Sequence, residues 1–448
     1  MSQDLSALTE RMLDAARKAG ADSADALAID GTSVSIDVLE GKLEHAERSE
    51  GVDIGLRVMI GQRQAVVSSS LFDDATLATM AERAVAMANE APEDPYIGLA
   101  DPTQHAKDWD VRALELYDPT PEPKAAELEE DAKRAEAAAL AHAGITQVQS
   151  ASAGYGQRRI HLATSNGFSG GYQRSSRSLS CVAISGEGTD MERDYYGEGR
   201  IFQNELPSPE EVGRIAAERT IARAGARRPK TGSYPVIFDE RVSSGLIGHL
   251  LGASNGAMIA RGSSWLMDRL GEQVLPKGLS ITENPHRPRI SGSRPFDGEG
   301  LATKPRDIVR DGVLQGWTLD LANARKLDMQ STASASRGTS GPPSPTVSNI
   351  ALTQGDRTLE QLMKDMGTGL WITSMIGSTI NPNTGEYSRG ASGIWVENGE
   401  PQYAINECTV AGNLLDMLAR IQPANDAKPH LSRVVPSLLL EGMTLAGD

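Results

Sequence analysis

Two cysteines in 448 residues, 4% aromatics and no apolar run of about eighteen residues remove several classes of protein at once. Thiols this few, Cys181 and Cys408, exclude a disulfide-stapled scaffold and fit a reducing compartment; neither has a second Cys or a His at metal-ligand spacing. The missing apolar run excludes a spanning helix, so no membrane is expected. Positive charge is also short. With 44 Lys+Arg against 60 Asp+Glu, the net charge is −16, and no nucleic-acid partner is expected, because phosphate binding runs on basic surface and counterion release. The stretch Met1-Ser2-Gln3-Asp4-Leu5 lacks the basic and apolar segments of a signal peptide, whereas Leu5, Leu8, Met12 and Leu13 share one helical face. A cytoplasmic location is the expectation. Scarce aromatics beside 45 glycines favour turns and closely packed strands over a helical bundle.

The chain is too long for one simple core, and its composition divides it into residues 1–91, 92–228 and 229–448. In the first part a helix precedes Val34, Ile36 and Val38, then a turn at Glu40-Gly41, then Val52, Ile54, Leu56, Val58 and Ile60 in strict period two. Asp73 caps a second helix with Leu77, Met80, Ala81 and Ala84 on its stripe. Residues 92–123 read as a surface connector, followed by an Ala- and Glu-rich helix over about 123–142, further strands over 145–201, and a helix opened by Pro207-Ser208-Pro209. Beyond it come a strand over 234–239, a helix over 242–260 and a hairpin turning at Asp311-Gly312. Thr332 to Pro345, with almost nothing to bury, reads as a mobile loop. The fold class expected is α+β: antiparallel sheets built from repeated hairpins, with helices packed outside.

One stretch, Asn381 to Ile421, organises the C-terminal part. Ile394-Trp395-Val396 and Tyr403-Ala404-Ile405 flank Asn398-Gly399, which supplies the two positive-φ residues of a type I′ turn, and Leu414, Leu415, Leu418 and Ile421 continue as a helix. Before the hairpin, residues 381–390 have the chemistry of a loop held toward a ligand, with Tyr387 and Arg389 as its candidate substrate-binding side chains.

This stretch, together with Arg294 to Ala335, resembles the TldD/PmbA family, and within it the PmbA (TldE) branch, over nearly the whole chain. The resemblance implies a subunit of a zinc metallopeptidase that processes peptides, with a TldD-like subunit as partner, a homodimer as the state in isolation, and a family-like division into an N-terminal meander domain, a central domain and a C-terminal domain. In catalytic members of the family a helix carries His-Glu-x-x-x-His, and a later cysteine completes the zinc ligands. Here His249 is followed by Leu250 in the Glu position and Ser254 in the second His position, and residues 422–448 hold no cysteine. A catalytic zinc needs three protein ligands and a general base. No catalytic residue, metal ligand or cofactor is therefore expected in this chain, the zinc being expected in the TldD-like partner, and His249 and Cys408 read as packing residues.

Three other constellations weigh less. Asp297-Gly298-Glu299-Gly300 reads as a solvated acidic turn, lacking the further oxygen ligands of a calcium loop. A serine nucleophile is not expected. Gly154-Tyr155-Gly156 does not open a helix, so a phosphate loop is not expected either. Two readings compete with the non-catalytic subunit: a protein-binding modulator related to DNA gyrase, which the family's older label implies, and a self-sufficient peptidase with an unrecognised site.

Overall fold

The computed structural model describes residues 3–448, the side chain at position 378 apart, so Met1 and Ser2 of the opening stretch lie outside it. Its first half repeats one unit. The first copy is α1 (Leu5–Ala19), β1 (Ser23–Leu39), β2 (Lys42–Ile60), β3 (Arg63–Ser69) and α2 (Asp74–Glu90). After a connector containing the short α3 (Val111–Leu114), the second copy is α4 (Ala125–Leu140), β4 (Ile145–Thr164), β5 (Ser169–Ser185), β6 (Glu192–Arg200) and α5 (Pro209–Ile221). The helix starts follow local chemistry. Asp4, Asp73 and Ser208 each accept backbone N–H bonds as N-caps, and Pro209 sits in the first turn of α5.

The two copies share a single six-stranded sheet in the order β3-β2-β1-β4-β5-β6, joined where β1 runs antiparallel to β4 from Asp25↔Thr164 to Val38↔Ala151. Strand alternation then divides β1 between two environments. Ala24, Ala26 and Ala28 point into the core beneath α1 and α2, and Val34, Ile36 and Val38 into the core beneath α4 and α5. The α4–α5 pair packs through small residues: a Cβ on Gly213 would lie 2.0 Å from the Ala135 carbonyl oxygen. The opposite face of β1, carrying Asp25, Leu27, Ile29, Gly31, Ser33 and Ser35, looks toward the second half of the chain.

That second half contains β7 (Gly232–Phe238), α6 (Glu240–Ala253), α7 (Gly256–Ala260), β8 (Ile281–Glu283), β9 (Arg306–Arg310), β10 (Val313–Leu314), α8 (Leu321–Lys326), β11 (Ala335–Ser336), β12 (Ser344–Pro345), β13 (Ile350–Leu352) and α9 (Leu359–Met366). It continues through β14 (Gly369–Ile380), β15 (Glu386–Glu397), β16 (Glu400–Asn413), α10 (Leu414–Leu418), β17 (Gln422–Pro423), β18 (Arg433–Val434) and β19 (Leu438–Ala446). Strands run in the order β16-β15-β14-β7-β19-β17, and an added β16–β19 pairing closes the larger strands into a ring. Its interior and the apolar face of α6 form one core that includes Phe238, Ile247, Leu370, Val410 and Leu440. The hairpin between β15 and β16 turns at Asn398 (φ 52°) and Gly399 (φ 79°), and that between β9 and β10 at Asp311 (φ 48°) and Gly312 (φ 81°), as their sequences specify.

The architecture is the expected α+β one, mostly antiparallel, with β14–β7 and β13–β18 as parallel pairs. Three local expectations are corrected. The helix over 242–260 is two helices, because Asn255 leaves the helical path and caps α7 through the Ala257 N–H. Residues 386–390 belong to β15 and not to a loop, paired with both β14 and β16. Thr332 to Pro345, expected to bury almost nothing, is anchored to the fold: the Arg337 side chain is 1% exposed, and Ala335 is fully buried.

Candidate functional site

Strand β15 carries Tyr387 and Arg389 to the end of the ring nearest α6. Tyr387 is buried, its ring meeting that of His249 edge to face at 5.8 Å and its hydroxyl donating to the Met375 sulfur at 3.3 Å. Burial pushes the phenol up to about 12. Arg389 is half-buried, and its Nε donates to the Gly377 carbonyl at 2.7 Å, spanning an irregularity of β14 between Ile376 and Thr379. Burial first, and the Arg389 charge second, lower the His249 pKa and keep its imidazole neutral; its Nε2 is buried without a hydrogen-bond partner. Cys408, opposite Ala391, donates its thiol to the Ala391 carbonyl at 3.2 Å, and burial pushes it up to about 11.

The zinc chemistry of the family does not fit these residues. At the motif positions, Leu250 is fully buried, and Ser254 is buried with its hydroxyl donating to the Leu251 carbonyl at 3.1 Å. Beside the one imidazole stands a guanidinium, which repels a cation. Among the described residues no three His, Cys, Asp or Glu side chains gather into a metal-ligating group.

Next to this cluster, between β6 and strands β14 to β16, lies a cleft of about 850 Å³ bounded by Met375, Ile376, Ala391, Asp194 and Arg223. Ile376 and Tyr195 stand out as large apolar side chains, 77% and 62% exposed. A charged network closes its floor. Arg223 reaches Glu192 at 3.2 Å and the Ser392 hydroxyl at 3.2 Å, while Arg241 reaches Asp194 at 3.4 Å and Asp239 at 3.1 Å. No sequence signal marks these residues, since they come from four separate segments.

The acidic turn is not solvated. Asp297 and Glu299 are 2% and 6% exposed. The Asp297 carboxylate accepts N–H bonds from Glu299, Leu301 and Ala335 at 2.9–3.0 Å and so fixes the loop. Among the described residues Glu299 accepts only the Leu321 N–H, at 2.9 Å; burial and then the Asp297 charge push it up to about 8. Nearby, Asp25 is held between Arg57 and Arg337, all three side chains being 5% exposed or less, so an arginine from the 332–345 segment is locked onto the first sheet.

Two stretches also spell Gly-x-Ser-x-Gly, 167–171 and 252–256. Neither builds a nucleophile. Ser254 is the buried residue just described, and Ser169 lies 3.4 Å from a His161 whose other nitrogen meets the Thr9 hydroxyl, with no carboxylate to orient it.

A repeated sheet-and-helix unit set against a closed, helix-covered strand ring is a specific architecture, and the comparisons agree along the whole chain. The PmbA/TldA metallopeptidase domain 1 model matches residues 24–88, the central-domain model 118–224 and the C-terminal domain model 231–447. Metalloprotease PmbA of Escherichia coli O157:H7 is 38% identical, over 95% of this chain and 93% of that protein. A Metalloprotease PmbA homolog of Haemophilus influenzae is 37% identical, over 100% and 97%. The chain belongs to the PmbA/TldD metallopeptidase family. Among solved structures, one from Bacteroides thetaiotaomicron, described as a proposed modulator of DNA gyrase, superposes over all of both chains with a TM-score of 0.92 at 27% identity. TldE of Thermococcus kodakarensis shares the fold, with a TM-score of 0.84 at 18% identity.

Proposed function

We propose that this chain is a PmbA/TldE-like subunit that carries no catalytic metal itself, pairs in the cytoplasm with a zinc-bearing TldD-like chain, and encloses the peptide that the pair processes. The observation that carries this reading is the chemistry at His249: one neutral imidazole beside Arg389, with Leu250 and Ser254 where a metallopeptidase helix needs a carboxylate and a second imidazole. The 850 Å³ cleft supports the peptide-enclosing role, since an extended peptide is captured through main-chain hydrogen bonds at strand edges and β6 is an edge strand. In this role Arg389 braces the β14 irregularity and Tyr387 supports β15 from the core side, so both position the wall.

The test is zinc content and peptide cleavage by the purified chain, alone and mixed with a TldD-like chain. No zinc and no cleavage alone, with cleavage in the mixture, is expected; stoichiometric zinc with chelator-sensitive cleavage by the isolated chain overturns the reading. The Bacteroides structure's description favours a second reading, a modulator acting through protein contact. A stable complex with gyrase and none with a TldD-like chain would establish it instead.

A further inference from the structure

On its outer face, beyond the apolar patch around Ile29, the first sheet becomes a trough of about 600 Å³. Its floor is made of hydroxyls and glycine in cross-strand register: Ser35↔Gly154↔Ser178 and Ser33↔Gly156↔Ser176. The next row is Gly31↔Arg158↔Arg174. Two arginines are therefore directly opposed on one face, an arrangement that destabilises an antiparallel pair. Arg158 is exposed and leans over Gly31, where a Cβ would lie 3.6 Å from its Cγ. Arg174 donates only to the Ser291 carbonyl. Among the described residues neither has a carboxylate at ion-pair distance.

The charged side chains that line the trough are of one sign. Arg200, Arg289 and His430 also line the trough, and no Asp or Glu does, in a chain whose net charge is −16. Arg200 and Arg289 are already paired, with Glu198 and with Glu115 and Glu205, and His430 lies 3.5 Å from Glu198. Arg177 stands in the Val34↔Tyr155↔Arg177 row, whose side chains face the helices, and reaches Asp131 of α4 at 3.3 Å, so it is not one of the free cations. Uncompensated cations that repel each other across a pair of strands are retained at a cost, and a ligand bearing the opposite charge removes it.

We propose that this trough binds a peptide carboxylate in the fork of Arg158 and Arg174, the peptide main chain lying on the Ser/Gly floor. Two opposed guanidiniums match one carboxylate, each offering planar bidentate donors. A glycine and serine floor lets a main chain approach the sheet and offers hydroxyls to its N–H and C=O groups. The volume suits a segment of a few residues. The peptide as ligand rests on the peptide-handling reading above, whereas the carboxylate follows from the arginine pair itself. The carboxylate has two sources, an acidic side chain or a free C-terminus.

The experiment is direct binding to the full chain alone of a labelled heptapeptide of Ala and Ser with one central Glu and a free C-terminus. Its Glu→Gln and C-terminally amidated forms, and inorganic phosphate as competitor, complete the set. Binding is expected to weaken at least tenfold when one of the two carboxylates is removed, which identifies the source, and to weaken equally in the Arg158→Ser/Arg174→Ser chain. Arg158→Lys/Arg174→Lys is expected to recover part of the affinity, because charge without the fork is retained. Equal binding of all peptide forms, unchanged binding by the double Ser variant, or displacement by phosphate as effective as by unlabelled peptide would overturn the proposal. None of those results touches cleavage by the mixture with a TldD-like chain, so the two readings fail separately.

Discussion

The two ends of the outer face of β1 treat arginine in opposite ways. At the Asp25 end, Arg57 and Arg337 converge on one carboxylate in a buried interface, and every member of the trio has an opposite charge in contact. At the Ser33 end, Arg158 and Arg174 are opposed across an open trough, and among the described residues neither has a carboxylate at ion-pair distance. Between them Leu27, Ile29, Ile160 and Leu162 pack against Phe168 and Phe296. One sheet face therefore passes from a sealed latch through an apolar seam to an open site. A paired buried charge is expensive to disturb and holds geometry, whereas an unpaired exposed charge costs little to remove and remains available to a ligand.

Breaking the latch should have the largest effect. Arg337→Ala leaves Asp25 with one partner in a buried setting and is expected to destabilise the chain by about 3–5 kcal/mol, measured by urea denaturation. Gly55 comes next. A Cβ there would lie 2.2 Å from the Thr339 carbonyl oxygen, so Gly55→Ala lifts the 332–345 segment off β2, with an expected loss of about 1–3 kcal/mol and new protease cleavage near Gly338. If the segment remains resistant, its packing is not what the latch depends on.

Glu299 sharpens the comparison through pH. Folded, it keeps its proton to about pH 8, against an ordinary value of 4.5. The folded chain then binds more protons than the unfolded one across that window, and this group makes stability fall as pH rises from about 4.5 to 8. Glu299→Gln keeps an acceptor for the Leu321 N–H and cannot ionise. It should match the parent at pH 4.5 and become the more stable of the two as pH rises to 8; parallel stability–pH curves would show that Glu299 is ionised in the fold. The smallest effect belongs to the open end, where Arg158→Ser relieves a like-charge pair. A gain of a few tenths of a kcal/mol is expected, and a loss above 1 kcal/mol would mean that Arg158 serves the fold.

Much of the fold was legible because it is written locally. Asn398-Gly399 and Asp311-Gly312 both adopt the positive φ their turns require, Asp73 and Ser208 cap where capping chemistry places them, and period two marks Val52 to Ile60 as a strand. The site was less legible. A loop-like composition singles out Tyr387 and Arg389, but the pairing of β15 on both edges makes that segment a strand, with Tyr387 in the core and Arg389 bonded to Gly377. The acidic turn and the 332–345 segment look solvated because their polarity is all that the sequence displays. Their partners, Leu321 and Ala335 N–H for the carboxylates and Asp25 for Arg337, lie far away in the chain.

By itself, then, the sequence determined what depends on neighbours along the chain: the hairpins, the helix caps, the acidic balance, and the absence of His-Glu-x-x-x-His at His249. Tertiary structure alone decided what depends on register and docking. The pairing of β1 with β4 merges two units into one sheet, and the β4–β5 register places Arg158 opposite Arg174. The second half of the chain then seals one end of that face and leaves the other open. The physical reason is that burial and Coulomb energy act through distance in space, and residues 25 and 337 become neighbours only when the sheet and the 332–345 segment meet.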